Sequence, residues 1–255
     1  MIGIFDSGSG GLSVFREIRK FLPEESYIYY SDNAHCPYGE KSREYIIDRA
    51  RFITGFLLEK GADIIVVACN TATAAAIATL RKEYPEIPFI GMEPAIKPAV
   101  RKTVSGVVGV LATAGTLKAD KYLNTREKWA EGVRIEEHIG QGFVELVEAG
   151  KTHGPEAEEV VRESLEPLLD KGADVIVLGC THYPFLADTI KKVAAAHGAD
   201  GNSFHLIDPA PAVARHLLEV MEAEGIQTVS PEGFSMELLC SGDGTTLQTV
   251  YSSLS

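Results

Sequence analysis

Short runs of branched apolar residues alternate along this chain with longer segments whose apolar positions recur every three or four residues. Residues 2–5, 27–30, 64–67 and 89–90 read as strands, and 11–21, 42–59 and 72–84 as helices between them. Leu12, Phe15, Ile18 and Phe21 fall at helical spacing, as do Ile46, Ala50, Ile53 and Leu57. Strands that are apolar throughout and alternate with helices imply a parallel sheet covered on both faces. The pattern then restarts. Strands are expected at 106–111, 133–138, 174–178 and 203–207, with helices near 117–129, 141–149, 155–170 and 184–197. A helix near 210–224, a strand near 235–240 and a last helix from about 244 remain, too little for a core of their own, so this tail is expected to pack back on the first half.

The restart is a repeat. Lys60-Gly61-Ala62-Asp63-Ile64-Ile65-Val66-Val67-Ala68-Cys69 matches Lys171-Gly172-Ala173-Asp174-Val175-Ile176-Val177-Leu178-Gly179-Cys180, and Val107 to Thr116 echoes Met1 to Gly10. The two offsets nearly agree, which suggests an ancient duplication; the period is that of a domain pair, not of a solenoid. The expected fold class is therefore α/β: two duplicated parallel-sheet α/β domains related by pseudo-two-fold symmetry, with the active cleft between them. Residues 1–97 plus 210–255 form a discontinuous first domain and 98–209 the second. Each copy of the repeat ends in a thiol, followed by Asn70-Thr71 in the first half and Thr181-His182 in the second. One thiol per half can flank a single carbon, as a reaction needing a base on one face and an acid on the other requires.

Composition narrows the partners. A net charge of -12 argues against nucleic acid, because phosphate binding needs clustered Lys and Arg. No apolar run approaches the roughly 18–20 residues that span a bilayer, so no membrane is expected. Met1 to Asp6 lacks the basic start of a signal peptide, and the chain reads as cytoplasmic. Cys36, Cys69, Cys180 and Cys240 are far apart and form no C-x-x-C pair, so neither a metal site nor a disulfide framework is expected. Cys36 and Cys240 read as small buried apolar residues.

Ligands of parallel α/β sheets bind beyond the carboxyl ends of the strands. Asp6-Ser7-Gly8, Cys69-Asn70-Thr71, Thr113 to Thr116 and Cys180-Thr181-His182 all stand there, at or just before a helix start, where amide groups and the dipole favour anions. Other readings remain at this level. Asp6 to Gly11 resembles a dinucleotide loop, with Asp32 near the ribose-binding offset, although Ser13 stands where the third glycine belongs. Asp6 also suits a plain helix cap. Cys180 with His182 suits a Cys–His hydrolase, which leaves the duplicated Cys69 unexplained.

A resemblance decides among them. Gly3-Ile4-Phe5-Asp6-Ser7-Gly8 with Gly10-Gly11, Pro37-Tyr38-Gly39, Ala68-Cys69-Asn70-Thr71-Ala72, Thr113 with Thr116, Val147-Glu148-x-Gly150 and Leu178-Gly179-Cys180-Thr181-His182-Tyr183-Pro184 together resemble the glutamate racemases of the cofactor-independent aspartate/glutamate racemase superfamily. Leu239-Cys240-Ser241-Gly242-Asp243 departs from the Thr-Gly-Asp form associated with that family. The resemblance implies an isomerase that interconverts L- and D-glutamate with two cysteine bases, without pyridoxal or metal, and supplies D-glutamate for peptidoglycan. It assigns Cys69 to the α-proton of D-glutamate and Cys180 to that of L-glutamate. Asp6 is expected to orient Cys69, His182 to orient Cys180, and Glu148 to support as a further carboxylate. Asp6, Ser7, Tyr38, Gly39, Asn70, Thr71, Thr113, Thr116, Thr181 and His182 are expected to bind substrate. Within the resemblance His182 favours glutamate, since aspartate enzymes tend to carry Glu there. It ties a role toward DNA gyrase to an N-terminal extension, so none is expected of a chain that starts at its first strand. The residues leave a homodimer open. The alternatives are an aspartate or other amino-acid racemase and a non-catalytic amino-acid-binding protein.

Overall fold

The computed structural model describes residues 1–199, 201, 203–226 and 233–254. Its elements follow in chain order: β1 Ile2–Asp6, α1 Leu12–Phe21, β2 Ser26–Ser31, α2 Arg43–Glu59, β3 Ile64–Val67, α3 Asn70–Glu83, β4 Phe89–Gly91, α4 Ile96–Lys102, β5 Val107–Ala112, α5 Ala114–Leu117, α6 Asp120–Trp129, β6 Arg134–Ile139, α7 Phe143–Glu148, α8 Pro155–Leu169, β7 Val175–Gly179, α9 Ala187–Ala196, β8 His205–Ile207, α10 Ala210–Glu224, β9 Ser235–Cys240 and α11 Thr245–Ser252. Single 3-10 turns occupy Asn33–His35, Tyr38–Glu40 and Tyr183–Leu186.

The chain divides into two compact units, Met1–Met92 with Ala210–Ser255, and Glu93–Pro209. In the first, the strands run in the order β4-β3-β1-β2-β9, all parallel; in the second, β6-β5-β7-β8, again all parallel. The order β2-β1-β3-β4 in one thus matches β6-β5-β7-β8 in the other, and the expected fold class of two parallel-sheet α/β domains is the one observed. The central strands β1, β3, β5 and β7 are buried along their whole length, which is why they read as unbroken apolar runs. The tail belongs to the first unit: β9 extends its sheet beside β2, and α10 packs on α1. No helix of the described residues is long and apolar enough to cross a membrane.

The repeated segment is a helix stop followed by a strand. Gly61 and Gly172 end α2 and α8 with φ of 91° and 87°, a left-handed conformation that glycine adopts without strain. The next residue closes each stop, Ala62 N–H donating to the Leu57 carbonyl and Ala173 N–H to that of Leu168. A second shared device lies across the sheet. Gly3 pairs with Ile65 and Gly109 with Ile176. A Cβ on Gly3 would come within 2.9 Å of Ile65 Cδ1, and one on Gly109 within 2.5 Å of Ile176 Cδ1. Leu57 and Leu168, the same pair of repeat positions, close these spaces from the helix side.

Differences from the expected elements are local. The division expected at 97/98 falls at 92/93, because α4 packs on α6 and β7 of the second unit. Pro98 sits in the first turn of α4, where a missing N–H interrupts no helical bond. The helix expected near 117–129 is α6, from Asp120, with the short α5 over Ala114–Leu117 before it, and the helix expected from 184 starts at Ala187 after the 3-10 turn.

Adding one methyl group tests the glycine device. Gly109→Ala should lower the midpoint of chemical unfolding by the equivalent of about 1–3 kcal/mol through overpacking, and adding Ile176→Val, which removes the clashing Cδ1, should recover much of it. An unchanged midpoint in the single variant would show that the space is not needed.

Candidate active site

The register of β1 and β3 brings the first group together. Phe5 pairs with Val67, and the Ala68 N–H donates to the Phe5 carbonyl at 2.9 Å. Ser7 and Cys69 therefore leave the sheet side by side, with Cys69 Sγ 3.8 Å from Ser7 Oγ. Cys69 is extended (φ -139°, ψ 120°) and caps α3, its sulfur accepting the Ala72 N–H at 3.4 Å. That places the thiol, 5% exposed, at the positive end of a helix, where an anion is favoured. Asn70 and Thr71 follow in the first turn and are buried. Among the described residues neither amide atom of Asn70 has a hydrogen-bond partner. A buried polar group left unpaired costs about 1–3 kcal/mol, so this amide is suited to a polar ligand.

The glycine-rich turn after β1 wraps Asp6. The buried Asp6 carboxylate accepts the Gly11 N–H at 2.8 Å, and the Tyr29 hydroxyl donates to the Gly8 carbonyl at 2.9 Å. A Cβ on Gly11 would lie 2.7 Å from both Asp6 Cβ and the Tyr29 hydroxyl, so at Gly11 the turn closes on protein atoms and leaves no room for a pyrophosphate there. Asp32 is equally unavailable to a ribose. It is 0% exposed, takes two hydrogen bonds from Arg49 (2.9 and 2.7 Å) and accepts the Tyr38 hydroxyl. Burial by itself pushes the Asp32 carboxyl up, but the donors Arg49, Tyr38 and Ser241 outweigh it and hold it below the ordinary carboxylate range. Burial, then the charge of Asp32, raises Tyr38 far above an ordinary phenol. Tyr38 was expected to bind substrate; its hydroxyl is committed to Asp32, while its ring shares an apolar cluster with Cys69 and Ala72. Gly39 follows it in the same 3-10 turn.

The second group is built on the matching strands. Ala112 pairs with Gly179, which sets Thr113 and Cys180 at one level past the sheet. Thr113 caps α5, its hydroxyl accepting the Thr116 N–H at 3.3 Å and lying 3.0 Å from the Thr116 hydroxyl. Cys180 is 7% exposed and, unlike Cys69, is followed by a 3-10 turn instead of an α-helix. Its sulfur lies 3.7 Å from His182 Nδ1, and His182 Nε2 lies 2.7 Å from a carboxylate oxygen of Glu148, the last residue of α7. With Nε2–H donating to Glu148, the Nδ1 lone pair faces the thiol, so the tautomer that suits both partners also suits removal of the sulfur's proton. Thr181 and His182 are both buried.

The structure thus gathers Asp6, Ser7, Tyr38, Gly39, Cys69, Asn70 and Thr71 in one unit, and Thr113, Thr116, Glu148, Cys180, Thr181 and His182 in the other. None of the four cysteines is in a disulfide. Sequence reasoning missed Arg49 and Tyr29. Arg49 had a signal, a cation between Ile46, Ala50 and Ile53 on the buried stripe of α2.

Comparison with known proteins points the same way. The Asp/Glu/Hydantoin racemase family model matches residues 2–217. The chain is 48% identical over 242 residues to the glutamate racemase of Stutzerimonas stutzeri, covering 95% of this chain and 89% of that one. It superposes with TM-score 0.87 and 35% identity on the Escherichia coli glutamate racemase in complex with L-glutamate and the activator UDP-MurNAc-ala, covering 99% of this chain and 94% of the other. For the Francisella tularensis glutamate racemase in complex with D-glutamate the values are 0.83 and 28%, covering 99% and 92%. A match over most of the length, together with a thiol at the end of the same strand in each unit, means that the chain belongs to the Asp/Glu/Hydantoin racemase family.

Proposed function

We propose that this protein is a glutamate racemase that works by two cysteine bases. The observation that carries the proposal is the equivalent placement of Cys69 and Cys180, each buried, each just past the carboxyl end of a central strand, each with its own polar partners. The α-proton of an amino acid is weakly acidic, and inverting the carbon requires a proton to leave one face and another to arrive on the opposite face. Two thiols do this without a base having to cross the substrate. Cysteine suits both roles, since its ordinary pKa of about 8.5 leaves both thiol and thiolate accessible near neutral pH. We propose that Cys69, supported by the α3 amide and Ser7, takes the proton of D-glutamate, and that Cys180, coupled to His182 and Glu148, takes that of L-glutamate. Asp6 holds the turn carrying Ser7, and Asn70, Thr71, Thr113, Thr116 and Thr181 hold the ammonium and carboxylates. No pyridoxal or metal is needed for these transfers. The relatives named glutamate racemase and the two complexes with glutamate enantiomers support glutamate over aspartate as the substrate. D-Glutamate then serves peptidoglycan synthesis in the cytoplasm, the role implied by the resemblance.

Because the enantiomers have equal free energies, any variant must lose kcat/KM equally in both directions. Cys69→Ala and Cys180→Ala should each abolish racemisation of both. Isotope exchange separates the roles: in heavy water Cys180→Ala should still wash out the α-hydrogen of D-glutamate, and Cys69→Ala that of L-glutamate, neither inverting the carbon. Near-normal racemisation by either variant would end the two-base reading.

Asn70→Ala offers a second test. KM for glutamate should rise roughly tenfold, about 1.4 kcal/mol from one hydrogen bond to a charged group. The unfolding midpoint should hold or rise, because among the described residues the amide has no partner to lose. A lower midpoint with unchanged KM would assign Asn70 to the scaffold.

A further inference from the structure

The pair Asp32–Arg49 lies outside the residues given a role above, yet its carboxylate is buried and both of its oxygens are engaged. Asp32 directly follows β2, and its N–H donates to the carbonyl of Asp6, the last residue of β1. Its carboxylate is fully buried, Arg49 grips both oxygens, and the Tyr38 hydroxyl donates to one of them. His35 Nε2 stands 4.0 Å from the other. The guanidinium is itself covered, 4.8 Å from the Phe52 ring, with its side chain 20% exposed. Removing one partner of such a pair leaves an uncompensated buried charge, which is far more damaging than loss of an exposed ion pair. Tyr38 is the other side chain that shares this carboxylate. Tyr38 is 1% exposed, packs in one apolar cluster with Cys69, Ala72 and Ala76, and its turn lies against α3, the helix that Cys69 caps.

We propose that Arg49 is a positioning residue for Cys69: by holding Asp32 it fixes the Tyr38 phenol, and the fixed Tyr38 ring braces and shields the thiol. The inference rests on the reading of Cys69 as a proton-transfer group, but the bracing itself can be measured without turnover. Asp32 needs the two-pronged donor that only arginine provides; lysine would bring the charge and one point of contact. The ring matters because a thiol that collects a proton from carbon must sit still in one geometry, and small displacements at a reacting atom reduce rates by large factors.

The experiment is peptide-resolved alkylation by iodoacetamide at neutral pH, run on the whole protein with Cys180 as internal reference. In Arg49→Ala, Cys69 should react at least fivefold faster than in the parent, while Cys180 stays within twofold. An unchanged or slower Cys69, or equal acceleration of both thiols as in general loosening of the fold, overturns the proposal. If Arg49→Ala does not fold, Arg49→Lys is read the same way, with at least a twofold selective acceleration expected. In the racemase assay kcat/KM of Arg49→Ala should fall about tenfold, and millimolar guanidinium ion should restore part of it; normal turnover with an exposed Cys69 also overturns the bracing role. If the parent does not racemise glutamate, the functional reading of the preceding section fails, and the alkylation result still decides the role of Arg49.

Discussion

The strand that carries each thiol must lie in one fixed register against the first strand of its unit. Phe5 opposite Val67 places Ser7 beside Cys69; Ala112 opposite Gly179 places Thr113 level with Cys180. Side chains alternate along a strand, so a slip of one residue would turn each sulfur to the other face of the sheet. Gly3 and Gly109 secure the register, because only a residue without Cβ lets Ile65 and Ile176 lie directly across. The glycine stops at Gly61 and Gly172 then fix where each strand begins. Each sulfur is thus placed by backbone geometry laid down some distance from it.

On this shared frame the halves handle the sulfur differently. Cys69 meets a helix amide and a serine hydroxyl, groups with fixed partial charges. Cys180 meets an imidazole backed by a carboxylate, groups that can exchange a proton. The switch follows from the chain after the thiol: Asn70-Thr71-Ala72 continues straight into α3, whereas Thr181-His182-Tyr183-Pro184 turns once before α9 starts. A duplicated scaffold has kept its strands and diverged at the turn.

Most of the fold was legible because fully buried strands and amphipathic helices leave opposite signatures, as the agreement over β1 to β7 illustrates. The exceptions were short elements whose existence rests on tertiary contacts: α4 behind its prolines, and α5, which is a single turn capped by Thr113. The thiols stood out because they end a repeated segment. His182 and Glu148 are 34 residues apart, and only the resemblance linked them. Asp32 misled, since its distance from a glycine-rich turn fits a ribose, and nothing in the local sequence shows that Arg49, 17 residues on, has already claimed it. Periodicity locates a buried face; it does not say which polar side chain will be folded into that face's rim.

The strand β9 has a consequence for biosynthesis. It covers the outer edge of β2, and the turn after it is clasped to the turn after β2: Ser241 Oγ accepts the Ala34 N–H, and Asn33 Oδ1 accepts the Gly242 N–H. Residues 93–209 emerge from the ribosome as one uninterrupted stretch and can fold as they appear, but the unit that starts first must wait for residues near the far end. At roughly 5–20 residues per second, translation holds the edge of β2 bare for about 10–40 seconds. The half begun first is the half finished last, and during that interval its open edge is a template on which another strand can pair.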